Sequence, residues 1–376
     1  MSHDGVVAAP RVTTLELFFD LVFVFTVTQL SAVLAHDLTW NGLAEVALML
    51  GVIWYMYGGY AWLTNAISLD DPVNRALLLA GMCGYFIIAL AIPQAFHGAG
   101  LSFGLGYLVV VGVHAWLFAH SSGGGAQAIL RLAPSNLGGA ALVLAGGAAG
   151  GAVQAVLWTA AVVLLWGTPM LISNTGFDVA PAHFVERHGL VVIVAIGESV
   201  VAIGIGAAAL AVTVELVLVA VLGLLLSAGF WWTYFGGDDE RAVQALEALP
   251  GDRRGMAAFH AFGVAHLALL LAIVGVAVGL KRATGHAYDP VELGPALALA
   301  GGAGLFLLGD AWFREVLRIG PGWGRALGAP AALATIPLGT EIAAVAQVAA
   351  LAVVVAVATG VPWSTVRRRR AHVEVS

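Results

Sequence analysis

The amino-acid sequence predicts an all-α, polytopic bundle of about twelve transmembrane helices, built as a parallel internal repeat of six plus six. Three observations carry that expectation. First, 60% of the 376 residues are hydrophobic and only 10% are charged, with a mean hydropathy of +0.94, whereas soluble domains carry roughly 25% charged residues. A chain so poor in charge cannot cover a water-facing surface, so much of its solvent is lipid. Second, apolar runs of the roughly 20 residues needed to cross a bilayer follow one another with no room for a soluble domain. Third, the basic residues fall on one side of the resulting topology.

Taken in order, the spans lie near 15–36, 42–64, 75–96, 101–119, 137–151 and 152–172, then near 186–207, 213–235, 257–280, 292–313, 326–339 and 341–360. The fifth and eleventh are short and rich in Gly and Pro, which predicts tilted, broken or re-entrant segments. The first fifteen residues lack a basic n-region and a cleavage pattern, so the first helix is expected to remain in the mature protein. With the N-terminus inside, Arg11, Arg75, Arg131, Arg187, Arg241, Arg253, Arg254, Arg314, Arg318, Arg325 and Arg367 to Arg370 are cytoplasmic, 14 of the 16 basic residues. Only Lys281 and Arg282 face outward, as the positive-inside rule asks. Both termini are therefore expected in the cytoplasm of a cell bearing this protein in its inner membrane. Residues 367–376 form a basic tail suited to anionic lipid, and no nucleic-acid role is expected.

The two halves, residues 1–175 and 176–366, look related. At an offset of 170, Glu16 matches Glu186, Glu45 matches Glu215, Tyr60 matches Phe230 and Trp62 matches Trp232. Further on, Val113-His114-Ala115-Trp116 matches Gly309-Asp310-Ala311-Trp312, and Leu137-Gly138 matches Leu327-Gly328. Six spans per half is an even number, so the halves share one orientation, a symmetry known from transporters.

Polar side chains inside lipid are costly and mark interior partners or function. In the first span, Glu16 and Asp20 share one helix face, with Thr26, Thr28 and Gln29 above them. Glu16 is equally suited to a helix start, where the macrodipole favours negative charge. In the seventh span His183, Glu186, Arg187 and His188 fall within about one turn, where they can pair with each other, and Glu198-Ser199 follows. Glu198 lies about 18 Å beyond Glu186 along a helix, near mid-membrane. There it must be protonated, paired with a base or lining a water-filled path. His97, His114, His260, His266 and Asp310 are scattered; His260 and His266, six apart, sit on different faces and make no metal pair. Glu45 and Glu215 suit the first turns of their helices. The aromatic groups Trp54–Trp62 and Trp231–Tyr234 suit either interfacial belts or a stacking pocket. The candidate binding or proton-coupling set is thus Glu16, Asp20, Gln29, His183, Glu186, Arg187, His188, Glu198, Ser199, His266 and Asp310. The only cysteine, Cys83, excludes an internal disulfide, and no phosphate loop, nucleophile elbow or zinc motif calls for a cofactor or metal.

Thr14-Leu15-Glu16-Leu17-Phe18-Phe19-Asp20-Leu21-Val22-Phe23-Val24, Glu186-Arg187-His188-Gly189-Leu190 with Gly197-Glu198-Ser199, and Trp231-Trp232-Thr233-Tyr234-Phe235 resemble the bacterial low-temperature-requirement A (LtrA) proteins. That resemblance implies a multi-pass inner-membrane protein and no particular chemistry. The Phe-Phe-Asp stretch is also similar to the Phe-Ser-Asp motif of a potassium-channel family with six-helix repeats, with Phe19 in the serine's position. The expected partners are the bilayer and a small solute, ion or lipid. A transporter, with Glu198 and Asp20 as candidate protonatable sites for proton coupling, leads. A membrane-embedded enzyme acting on a lipid or isoprenoid, with Glu198, Asp20 or Glu186 as acid or base, comes second, and an ion channel third. The oligomeric state is not legible.

Overall fold

A computed structural model describes residues 12–67, 69–120, 125–172 and 179–360; Arg11 and the basic tail lie outside the described residues. The described chain is helical throughout, without strands. The first half contains α1 (Thr14–His36), α2 (Trp40–Ala66), α3 (Pro72–Ala91), α4 (Gly100–Ala119), α5 (Gly125–Ala149) and α6 (Gly151–Leu171). The second contains α7 (Pro181–Ala207), α8 (Val214–Phe235), α9 (Asp238–Ala248), α10 (Gly251–Ala258), α11 (His266–Gly285), α12 (Leu293–Leu317), α13 (Trp323–Leu333) and α14 (Ala344–Thr359). Among the described residues, ten helical stretches are long and apolar enough to cross a membrane, and α14 is a shorter apolar helix.

Local chemistry sets the helix ends. Thr13 and Glu16 form a capping box at the start of α1, reciprocally satisfying two free N–H groups. Asp71 caps α3 and Pro72 occupies its first turn, where a missing N–H costs nothing. Gly150 and Gly151, at φ +70° and +55°, turn the chain between α5 and α6 in a conformation that side chains resist. A Cβ on Gly147 would lie 2.0 Å from the Gly100 carbonyl oxygen, so α4 and α5 approach closely only because both positions are bare.

Two expectations change, and one, the broken eleventh span, holds. The fifth span is a 25-residue helix that runs through Pro134, so it begins about twelve residues before the predicted 137. The eleventh is broken: α13 has 11 residues, and a π-helical turn, Leu338–Ile342, follows. The short helices α9 and α10 were not anticipated. Gly237 at φ +106° ends the run from α8, and Asp238, Asp239 and Glu240 start α9, where the macrodipole stabilises them. A second π-helical segment, Phe259–Ala265, joins α10 to α11.

The packing order is repeated along the chain. In the first half α1 packs on α2 and α3, α2 on α4 and α6, and α3–α4–α5–α6 pack in sequence. In the second, α7 packs on α8 and α11, α8 on α12 and α14, and α11–α12–α13–α14 pack in sequence. Across the middle, α1 meets α7 and α11, while α2 meets α7, α11 and the π segment before α11.

Candidate functional site

Where α1 meets α7, two pairs of residues four apart face each other. Glu16 and Asp20 project from α1, His183 and Arg187 from α7, and all four are buried. Arg187, with no exposed surface, donates from Nη1 to Glu16 Oε1 at 2.9 Å and to Thr64 Oγ1 at 2.5 Å. Its Nη2 lies 3.7 Å from Asp20 Oδ1. His183 Nε2 is 3.2 Å from Glu16 Oε1, and the Tyr57 hydroxyl donates to Asp20 Oδ1 at 2.6 Å. The guanidinium also sits 5.5 Å from the Phe19 ring centroid and 5.6 Å from that of Tyr57. Buried charges persist only when paired, and here the pairing ties one half of the chain to the other.

Next to this cluster along α7 lies a partly open cavity of about 80 Å³. Its walls come from α2 (Trp54, Tyr55, Trp62), α4 (His114), α5 (Asn136) and α6 (Trp166), and from α7 (Phe184, His188), α10 and the π segment (Phe259, Gly263). The rings are fixed from behind. Trp54 Nε1 donates to the Gly263 carbonyl at 2.9 Å, Trp166 Nε1 to that of Gly51 at 3.0 Å, and the Tyr55 hydroxyl to Asn136 Oδ1 at 3.1 Å. His188 Nδ1 pairs with the Phe184 carbonyl at 2.8 Å. Behind His188, His266 Nδ1 is 2.8 Å from the Ala261 carbonyl, five residues back in the π segment, and His266 Nε2 is 2.9 Å from the Tyr234 hydroxyl.

Farther along α7, buried Glu198 accepts a 2.6 Å hydrogen bond from Thr28 Oγ1 of α1. The hydroxyls of Ser31 and Ser199 are buried nearby in sequence without hydrogen-bond partners among the described residues. A separate ionic network closes one end of the second half. Asp238 of α9 accepts from Arg314 of α12, from Arg241 at 2.6 Å and from Arg325 of α13 at 3.3 Å. Arg325 also pairs with Asp310 of α12.

The structure therefore brings Glu16, Asp20, His183 and Arg187 together, sets His188 and His266 among aromatic rings, and leaves Glu198 with Thr28 and Asp310 with Arg325. Glu186 is exposed: it does not pair with Arg187, because adjacent helical residues point about 100° apart. Gln29 is half-buried on α1. His114 packs against Tyr60 and Phe118, apart from Asp310. Glu215 lies in the first turn of α8, but Glu45 lies a turn farther into α2, bonded to Asn41. The sequence did not single out Tyr57, Thr64 or Asp238, and Thr28, though noted beside Gln29, stayed outside the candidate set. Thr28 was within reach, for it stands 170 residues before Glu198, the same offset as Glu16 to Glu186.

The fold and its buried ionic seam define a multi-pass helical membrane protein with polar groups concentrated between helices, away from lipid. The chain belongs to the bacterial low temperature requirement A protein (LtrA) family, whose model matches residues 11–360. It is 28% identical over 314 residues to an uncharacterized protein of Rhizobium meliloti (strain 1021), covering 80% of this chain and 76% of that one. No solved structure matches it.

Proposed function

We propose that this protein is a membrane transporter of a small solute, in which residues 1–175 and 176–366 are two six-helix halves and the aromatic cavity is the substrate site. The observation that carries the reading is the composition of that cavity: α2, α4, α5 and α6 supply one side, α7, α10 and the π segment the other. Transporters built from parallel repeats bind substrate between their halves. The matching order of helix packing in the two halves supports the repeat. So does the bond between Thr28 and Glu198, because equivalent positions touch each other only beside a pseudo-symmetry axis. In this reading both termini and the tail 367–376 are cytoplasmic, and the Glu16–Asp20–His183–Arg187 cluster is the tie that holds one arrangement of the halves.

Glu198 is the coupling residue of choice. A carboxyl in hydrocarbon whose hydrogen-bond partner is a neutral hydroxyl can be carried neutral and surrender its proton when the halves separate. Gln29, Ser199, His266 and Asp310 are supporting polar positions. The aromatic walls also favour the second reading, an enzyme acting on an apolar substrate. In that case acid–base work falls to His114 and His188, since Asp20, Glu186 and Glu198 do not line the cavity.

The test uses proteoliposomes loaded with a pH-sensitive dye and challenged with a panel of small organic solutes. Solute-driven proton movement in the wild type, lost in Glu198→Gln, supports the reading. Undiminished proton movement in Glu198→Gln removes the coupling role. Absence of any solute flux through well-folded protein removes transport itself.

A further inference from the structure

We infer that the aromatic cavity binds a small, weakly hydrated organic cation of the quaternary-ammonium type. The inference rests on the cavity being a ligand site, as in the transport reading, but it requires binding only. Tyr55, Trp62, Trp166 and Phe259 line the cavity and keep part of their surface uncovered. They and their neighbours meet at crossed angles, 69° for Tyr55 with Trp166 and for Trp62 with Phe184, and 44° for Trp166 with Phe259. Crossed rings make a box; parallel rings would have filled it. The polar edges of Trp166 and Tyr55 are spent on Gly51 and Asn136, so what these side chains offer a ligand is π surface.

The charge balance selects the ligand. Among the described residues, no carboxylate, lysine or arginine lines the cavity. Ring faces carry the negative end of the aromatic quadrupole, which repels anions, and the buried Arg187, one residue before His188 of the wall, is engaged by Glu16 and Asp20. A strongly hydrated inorganic cation would lose its water with no carboxylate to replace it. An alkylated ammonium has little hydration to lose and is the class that aromatic boxes recognise. Among the described residues, the polar side chains of the wall besides the Tyr and Trp edges are His114, Asn136 and His188, all neutral groups that can meet a hydroxyl carried by the ligand without adding a charge.

Calorimetry on the full chain in lipid nanodiscs, with choline and its neutral carbon isostere 3,3-dimethylbutan-1-ol as probes, tests the charge requirement directly. Choline is expected to bind at least tenfold more tightly than the isostere. Trp62→Leu and Phe259→Leu should each weaken choline by roughly 2- to 30-fold, the range of one cation–π contact, and Trp62→Phe should weaken it less than Trp62→Leu. Equal affinity for the two probes, no choline binding at millimolar concentration, or choline binding indifferent to all three substitutions overturns the inference. Cation binding without any flux would refute transport and keep this site. Flux of a neutral solute without cation binding would do the reverse.

Discussion

Replacing Arg187 with methionine removes the one buried positive charge that Glu16 and Asp20 share. Methionine keeps most of the side chain's length, so the packing against Phe19 and Tyr57 is largely retained and the change is mainly electrostatic. Removing one partner of a buried ion pair typically costs about 3–5 kcal/mol, because the remaining charge stays buried and uncompensated. The two carboxylates are not equally dependent on it. Glu16 lies 2.9 Å from Arg187 Nη1 but keeps the Thr13 backbone N–H at 2.9 Å and His183 at 3.2 Å. Asp20, at 3.7 Å from Nη2, keeps only the Tyr57 hydroxyl, and its Oδ2 has no hydrogen-bond partner among the described residues. Double-mutant cycles with Glu16→Gln and Asp20→Asn, read by reversible unfolding in mixed micelles, should give the larger coupling for the shorter pair, Glu16–Arg187. In the Arg187→Met background, Asp20→Asn should recover part of the loss by removing the more poorly compensated charge. A loss below about 1 kcal/mol for Arg187→Met, the scale of exposed pairs, would refute the claim that this cluster fastens the halves. So would a larger coupling for Asp20 than for Glu16.

Other outcomes follow from single contacts. Tyr57→Phe strips Asp20 of its 2.6 Å hydrogen bond and should cost about 1.5–3 kcal/mol, the range for bonds to charged groups, measured by the same unfolding. Asp238→Ala leaves Arg314 and Arg325 without their shared carboxylate and should destabilise by about 3 kcal/mol or more; Asp238→Asn should cost less, which thermal melting in detergent can rank. Gly147→Val, whose Cβ would lie 2.0 Å from the Gly100 carbonyl oxygen, should abolish assembly of α4 on α5 and be seen as loss of folded protein on size exclusion. Gly150→Ala meets open space, but φ +70° with ψ 179° is a conformation essentially reserved for glycine, so about 1–3 kcal/mol is expected, visible as a fall in melting temperature.

Hydropathy was enough to draw most of the helices because lipid punishes unpaired polarity over whole helices. The edges were harder. The start of α5 was obscured by Gly123-Gly124-Gly125 and by Pro134, residues that favour turns, although the helix runs from Gly125 straight through Pro134. In the site, sequence spacing singled out Glu16, Asp20, His183 and Arg187, which the structure brings together, but with other partners than expected. His183, Glu186 and Arg187 share a turn, so local pairing looked sufficient, yet Arg187 turns inward to α1 and Glu186 outward. Helix-face geometry resolves this only once the neighbouring helix is known. Asp310 and Arg325 sit on different helices across a turn, a pairing no periodicity announces. The aromatic group Trp54–Trp62 became a cavity wall, whereas Trp231 and Trp232 remain exposed, and composition alone does not separate the two.

The short α14 has a mechanical consequence for the surrounding membrane. Its 16 residues, stopped by Gly360 at φ +69°, reach about 24 Å, against a hydrocarbon core of roughly 30 Å. The 27-residue α2 and α7 reach about 40 Å each. A bilayer crossed by helices this unequal is mismatched to one of them, and thinning beside α14, where Val353 and Val357 are exposed, would relieve it. Short-chain lipids would collect there, and the protein would prefer thin membranes over thick ones.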